Sequence, residues 1–568
     1  MKNIRNTEES LLFDRTLVNV GPQARKLLLG GWQHVVRVAI IDLLPAPELG
    51  EHFSADLGRP TKELYSVCGL MLLKEYFGWS VPESLEHYML DLGVQYALNL
   101  QADHPEMSAA TFFRYQDLLR KNNLAQTIMH DVTEAVLKKL NQNITEQRLD
   151  STHVFSNMAV FTRRRLLFEV IRTFLVQVKR HEKSEYEALG PELRARYEKK
   201  NTWIFASTAN MLDENLPEKT PEKQLCFDLL FLVDRFSRRE SCTNMTSYKN
   251  MVRVLNEQCE GEWKEVKLRK HPGGKILVNP SDPEAEIGHK GAGYQVQVAE
   301  TCSKENDVQV VTAIMPEGAS AADEPALPKM IDKLQNEGNK PETMYADAGY
   351  GSNANANYAS HNGVDLIAPA KGKSQNAETA LEQCTFDADG RLTACPAGKT
   401  PCSCTYNRDK GKWRALFEVK TCTQCRMFGK CAINKGGNMY AFDYDDNRLQ
   451  LYQRRMEEKT PESKENYKKR SGIEATFGRL KQNTPLKRLR IRGRQAVEYA
   501  LHLLFAMHNV MQYVLKLQND KKKKPKNENG KWENASYGPL WLLLKPFKSF
   551  LRTVMPKSCV GAMRQAVA

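Results

Sequence analysis

Residues 467–481 read Tyr-Lys-Lys-Arg-Ser-Gly-Ile-Glu-Ala-Thr-Phe-Gly-Arg-Leu-Lys. On an α-helix advancing about 100° per residue, Tyr467, Arg470, Glu474 and Lys481 fall within roughly 60° of one another. Ile473, Phe477 and Leu480 form an apolar stripe beside them. One face can therefore dock on a sheet while its flank presents a carboxylate among two cations and a phenol. Such a flank can bind a metal through the acid and phosphates through the bases. The plain alternative is a solvated face on which Glu474 pairs with Arg470 at i, i+4. The helix is expected from about Pro461 to Gln482, with Pro485 ending it.

Upstream, Arg148–Val154 suits a strand whose single carboxylate is Asp150. Strand signals return at Tyr294–Cys302 and Val308–Met315, a helix at Pro325–Gln335, and a strand at Thr343–Ala348 that carries Asp347 near its end. The order strand, strand, strand, helix, strand predicts an α/β class, a ribonuclease-H-like catalytic core. Gly349 and Gly351 permit a tight turn after the last strand, and Ser352 or Asn353 can cap a helix beginning near Ala354. Before this core, apolar residues at three- and four-residue spacing predict helices from Thr61 to Leu140, with a capping box at Ser80 and Glu83 and a cap at Ser108. After Asn157 the pattern is again helical for about a hundred residues.

All four positions of the 467–481 stretch match the Tyr-x2-Arg-x3-Glu-x6-Lys signature, which resembles that of DDE transposases from bacterial insertion sequences. A chance match somewhere in a chain this long is on the order of one in a few hundred. Arg-Leu-Asp-Ser-Thr-His-Val at 148–154 and Tyr-Ala-Asp-Ala-Gly-Tyr-Gly-Ser at 345–352 look like the family's first- and second-aspartate segments. Gly-Arg-Pro at 58–60 and Gly-His-Lys-Gly-Ala-Gly-Tyr-Gln at 288–295 resemble its subgroup with a cysteine-rich insert. The resemblance implies an acidic triad of Asp150, Asp347 and Glu474 holding Mg²⁺ (or Mn²⁺), with Tyr467, Arg470 and Lys481 positioning DNA. Chemistry gives the triad a reason: phosphodiester cleavage needs an activated water and a stabilised leaving oxygen, which two ions about 3.5–4 Å apart supply in line. The implied activity is cleavage at the ends of a mobile element and joining of the freed 3′-hydroxyl to target DNA. The partners would be double-stranded DNA, as terminal inverted repeats and target, and a second copy in a homodimer or higher assembly.

The expected organisation is a helical N-terminal DNA-binding domain at 1–145 and a catalytic domain at 146–518. The latter is interrupted by a helical insert at 158–260 and a cysteine-rich insert at 384–445, and a basic tail occupies 519–568. Of thirteen cysteines, seven fall between Cys384 and Cys431. Cys395, Cys422, Cys425 and Cys431 form a Cys-x26-Cys-x2-Cys-x5-Cys array whose Cys-x2-Cys pair has zinc-ribbon or knuckle spacing, and the resemblance supports a structural zinc site, although Cys384, Cys402 and Cys404 leave the ligand set open, as does the alternative of free thiols.

The 568 residues carry 82 Lys plus Arg against 68 Asp plus Glu, a net +14. From Gly478 onward 19 basic and 4 acidic residues give +15, so residues 1–477 sum to about −1. From Gly478 to Arg494 there are seven bases and no acid, with Lys487, Arg488, Arg490 and Arg492 interleaved among Leu486, Leu489 and Ile491. That pattern suits an extended segment with a cationic, DNA-binding face. Lys521–Lys524 reads as a flexible basic linker. No run of 18 apolar residues is present, and Met1–Thr7 leads into Glu8 and Glu9 rather than a secretory signal, so a cytoplasmic, nucleoid-associated protein without a membrane partner is expected. Two other classes fit parts of the pattern: a non-catalytic DNA-binding descendant of a transposase, and a nuclease that cuts without strand transfer.

Overall fold

The computed structural model describes residues 2–4, 17–18, 20–100, 106–198, 204, 212–213, 216–372 and 381–523. The N-terminal region is helical, with α1 (Leu64–Phe77), α2 (Val81–Leu90), α3 (Ala109–Lys121) and α4 (Leu124–Leu140). Both anticipated caps form: Ser80 and Glu83 close a reciprocal capping box on α2, and the Ser108 hydroxyl accepts from Thr111 N at the start of α3.

β1 (Glu146–Val154) leads into an insert whose main helices are α5 (Arg163–His181), α6 (Pro221–Phe236) and α7 (Thr246–Gln258). Their apolar faces close on a core of their own around Ile171, Phe174, Leu229, Phe236 and Met251. The chain then forms β2 (Gly291–Thr301), β3 (Val311–Gly318), α8 (Ala326–Asn336), β4 (Thr343–Tyr345), α9 (Asn353–His361) and β5 (Asp365–Ile367). In the sheet, β2 lies antiparallel between β1 and β3, while β4 runs parallel to both β1 and β5. The mixed α/β class read from the sequence holds. Leu149, Ala299 and Met344 meet Leu327, Met330 and Ile331 of α8 and Ala359 of α9 in one core layer. Because side chains alternate across a strand, Arg148 and Asp150 project from the opposite face to Leu149.

The cysteine-rich stretch carries no visible periodicity, yet it folds as a sheet of β6 (Ser403–Asn407), β7 (Lys412–Glu418), β8 (Ile433–Gly436) and β9 (Met439–Asp445), in the order β6-β7-β9-β8. β9 runs into α10 (Asp446–Glu457), where the Asp445 carboxylate accepts from Arg448 N.

The helix expected over 461–482 is corrected. It is broken into α11 (Pro461–Tyr467), a 3₁₀ segment (Lys468–Ser471) and α12 (Gly472–Asn483). The cause is tertiary: Arg148 Nη1 donates to Lys469 O at 3.1 Å, a carbonyl that would serve Ile473 N in an unbroken helix. The strand expected over 343–348 is shorter, and Asp347 lies in the loop after β4.

The last helix, α13 (Arg494–Lys523), seals the edge of β3. Val311 N donates to Asn509 Oδ1 at 3.0 Å, and Asn509 Nδ2 donates to Val311 O at 2.7 Å and to Thr133 Oγ1 of α4 at 3.0 Å. An open strand edge is thereby covered. The chain divides into two compact units after Gln512; beyond that point the described residues are the last turns of α13, where Lys516 pairs with Asp520 at 2.8 Å. Lys521–Lys523, read as a flexible linker, are helical. Lys524 and the rest of the basic tail lie outside the described residues. No helix among the described residues is long and apolar enough to cross a membrane.

Candidate active site

β1 and β4 are parallel, with Arg148 opposite Tyr345. Continuing that register by two residues sets Asp150 level with Asp347. Asp150 is nearly buried at 13% side-chain exposure and accepts from Ser151 N at 2.8 Å. Asp347 accepts from Gly349 N at 2.7 Å, which fixes the turn. Gly351 is needed for space: a Cβ there would lie 1.9 Å from Pro369 O. Ser352 caps α9 by accepting from Asn355 N at 3.2 Å.

α12 brings the third acid. Its stripe of Ile473, Phe477 and Leu480 is buried. The helix is stapled to the sheet through Glu300 of β2, which accepts from Arg148 Nε at 2.7 Å and from Thr476 Oγ1 at 2.8 Å. Glu474 projects outward, 61% exposed, and pairs with Arg470 Nη1 at 2.9 Å. The same guanidinium reaches Asp150 through Nη2 at 3.2 Å. Arg470 therefore bridges the first and third acids rather than forming the isolated helix-surface pair.

Asp150, Asp347, Glu474, Arg470 and Lys481 all line one cavity of about 1110 Å³. Tyr467 does not: it lines a neighbouring cavity of about 920 Å³. Its phenol still feels the site: burial pushes it up, Arg470 opposes this, and Asp347 and Asp150 add to it. Among the described residues, no group of three or more His, Cys, Asp or Glu side chains is placed so that it could hold a metal ion.

A fourth carboxylate in the cavity, Asp323, was not singled out from sequence. It follows β3, where it reads as an ordinary residue ahead of Pro325 and a helix. The available signal was strand direction, because β3 points the same way as β1 and β4 and its following loop arrives at the same end of the sheet. Asp323 Oδ1 accepts from Gln297 Nε2 at 3.1 Å.

Burial, then the Asp347 and Asp323 carboxylates, push Asp150 up to about 6, against the Ser151 amide and Arg470. The ordinary value is 3.8, so between these pH values the folded protein holds a proton that the unfolded chain has released. This contribution favours folding fully below about pH 4 and is lost as the pH rises through about 6. In metal-free buffer, Asp150→Asn is expected to melt above the parent at pH 7, by roughly 2–3 kcal/mol at most, with the two converging near pH 4. Asp323→Asn is expected to give a smaller rise of the same sign. Thermal midpoints against pH in a chelating buffer check this; an Asp150→Asn midpoint at or below the parent's at pH 7 refutes it.

The opposite wall is cationic. Burial, then Lys290 and Lys487, push the Lys481 ammonium down. Lys290, in the turn between the short strand Glu286–Gly288 and β2, lines the cavity; it falls within the 288–295 run, from which no role in the site was read. The interleaved segment after α12 forms a 3₁₀ turn at Pro485–Lys487 and then extends beside the continuation of β1, with Leu489 N donating to Phe155 O at 2.8 Å. Leu486 and Leu489 are buried, while Lys487, Arg488, Arg490 and Arg492 are exposed. Two of these cations have protein partners: Arg490 pairs with Glu83 at 3.2 Å, and Arg492 donates to Asn157 O. None of the four lines the cavity.

Cys395, Cys422, Cys425 and Cys431 line a separate cavity of about 30 Å³. Burial and the neighbouring thiols push Cys422 and Cys431 up.

Residues 394–514 match the family described as a transposase DDE domain. The matched span holds Glu474, its helix and all four cysteines named above; Asp150 and Asp347 lie outside it. No curated protein and no solved structure matches the chain. The match supports a transposase.

Proposed function

We propose that this protein is a transposase that binds the ends of its own mobile element, cleaves DNA strands with a divalent metal, and joins the freed 3′-hydroxyl to target DNA. The observation that carries the reading is the convergence of Asp150, Asp347 and Glu474, from three separate parts of the chain, on one cavity with Arg470 and Lys481. The strand order β3-β2-β1-β4-β5 supports a ribonuclease-H-like core.

The donors are oxygen only, which is the chemistry of a hard cation, although Arg470 stands between Asp150 and Glu474 and would have to leave before the acids could share an ion. Burial, then the neighbouring carboxylates, push Asp150 up to about 6. When bound, Mg²⁺ or Mn²⁺ supplies an activated water and a stabilised leaving oxygen. Asp150 and Asp347 would hold it from the sheet and Glu474 from α12. Arg470 and Lys481 would orient the scissile strand by its phosphates, Arg470 exchanging its carboxylate partners for phosphate oxygens. Tyr467, from the adjoining cavity, would contact the strand beside the cut. Lys487, Arg488, Arg490 and Arg492 would carry the flanking duplex away from the site. The helical region at 1–145 would recognise terminal repeats, and a dimer would bring two ends together.

The test is incubation of the protein with Mg²⁺, DNA carrying the inverted repeats that flank its coding region, and a second duplex. Cleaved ends joined to that duplex are expected. Cleavage without joining would establish the nuclease reading instead, and binding without cleavage the non-catalytic one.

Four sulfur donors lining one cavity have the chemistry of a structural Zn²⁺ site, although in this structure they are not placed as a closed metal site; a bound divalent cation would draw them together and remove the repulsion among their thiolates. About one zinc per chain is expected in protein purified without chelator, falling to near zero in a Cys422→Ser/Cys425→Ser variant. A folded parent with no zinc refutes this site.

A further inference from the structure

We propose that the turn built over the four cysteines is a second duplex-DNA contact, separate from the 467–492 region; the inference rests on the transposase reading. Its backbone is compact. After β7 come a one-turn helix (Val419–Thr423) and successive tight turns in which Cys425 N, Phe428 N and Lys430 N donate to Cys422 O, Cys425 O and Met427 O at 2.9–3.0 Å. Met427 is buried beneath them. The side chains that this scaffold presents are cationic: Lys420, Arg426 and Lys430 from the turns and Lys435 from β8, all exposed.

From Val419 to Phe442 the sequence holds these four bases and no acid. Among the described residues, Lys420, Arg426 and Lys435 form no ion pair, whereas Arg414, on the neighbouring β7, is matched by Asp443 at 2.8 Å. The repulsion among such cations is relieved by a polyanion, and phosphates spaced along a duplex meet several at once. Phe428 adds a flat apolar element: it is 44% exposed and stands edge-on to Tyr440, ring centres 5.6 Å apart, while Lys435 pairs with Tyr440 across β8 and β9. An aromatic ring among cations can pack on sugar or base where a protein partner would need matching acids.

The turn is also tied to the catalytic cavity's framework. β9 continues into α10, whose Arg454 donates to Gly351 O at 2.9 Å and to Ala368 O at 3.0 Å, next to the loop that carries Asp347. DNA held by the turn would thus be registered to the acidic site rather than tethered loosely to it.

The experiment uses the full chain and a 40-base-pair duplex without inverted repeats, with fluorescence anisotropy read across a salt series. Substituting Lys420, Arg426, Lys430 and Lys435 by Gln is expected to reduce the slope of log K against log salt by about 3 to 4, since each phosphate left without its cation removes about 0.9. Lys487→Gln/Arg488→Gln, as the control, should lower it by no more than about 2. An equal thermal midpoint shows that the fourfold variant is folded; if it is not, Arg426→Glu alone must still weaken binding. A parent-like slope in the folded fourfold variant, or parent-like affinity in Arg426→Glu, overturns this second DNA-binding surface and leaves the transposase reading standing. A parent that does not bind this duplex also overturns the second surface, whereas the transposase reading falls only if the parent fails as well to bind and cleave DNA carrying its flanking inverted repeats.

Discussion

Asp347→Ala and Glu474→Ala are each expected to lower the single-turnover rate of strand cleavage by about 10³-fold or more, a loss of roughly 4 kcal/mol of transition-state stabilisation. The expectation follows from what each side chain does in the protein without DNA, which is little. Asp347 accepts one local bond from Gly349 N, and Glu474 is 61% exposed and paired with Arg470. Neither holds the fold together. Asp347 even raises the electrostatic cost of its surroundings by opposing the ionisation of Asp150. On the proposed function, side chains that contribute little to stability while converging from a loop and a helix on one cavity would serve a ligand, and oxygen-only donors would favour a hard cation. The thermal midpoints of both variants should therefore stay near the parent's while cleavage collapses. Mn²⁺ in place of Mg²⁺ is expected to restore only a small part of the rate. Parent-like cleavage by both variants would show that the chemistry lies elsewhere.

The helix bearing Glu474 was legible because a 3.6-residue period leaves a strong trace: Ile473, Phe477 and Leu480 do face the core, and Arg470 and Lys481 do share the cavity with Glu474. The break at Lys468–Ser471 was not legible. Its cause is Arg148, more than 300 residues away in sequence, reaching a backbone carbonyl, and no local propensity encodes that. The acid at 150 was legible as the carboxylate within a strand and that at 347 as one near a strand end, whereas Asp323 required the direction of β3, which only the pairing reveals. The cysteine-rich sheet was hidden for another reason. β6 is almost wholly exposed and β7 alternates with charged residues, so the period-2 apolar signal of a half-buried strand is faint. There the core is supplied by Phe417, Phe442 and Tyr444 from strands that meet only after folding.

Arg148→Met is expected to destabilise the protein by about 3–5 kcal/mol and to misplace α12, because it strips a buried carboxylate of its paired cation. Glu300 has 1% side-chain exposure. Its Oε2 takes both Arg148 Nε at 2.7 Å and Nη2 at 2.6 Å, and among the described residues this leaves Thr476 at Oε1 as the other side-chain donor. Burial pushes the Glu300 carboxyl up and Arg148 opposes it, so without the guanidinium the folded state must either hold an unpaired charge or take up a proton. Native proton uptake means that stability is retained at low pH and lost as the pH rises through the raised value, so the deficit of Arg148→Met should shrink toward acid pH. Arg148→Met/Glu300→Gln should recover most of the loss, since replacing both partners of a buried pair is far cheaper than removing one. A denaturation series on the parent, both single variants and the double variant measures the coupling. Additive losses, or an Arg148→Met variant as stable as the parent, would mean that the pair does not clamp the helix. The glycine of the 467–481 stretch that opens α12 belongs to the same junction. A Cβ on Gly472 would fall 1.9 Å from Arg148 Nη1, so the guanidinium can pass beneath the first turn of α12 only where no side chain stands. Two residues of the stretch thus complement each other, Gly472 admitting the staple from the sheet and Glu474 projecting from the helix that the staple holds.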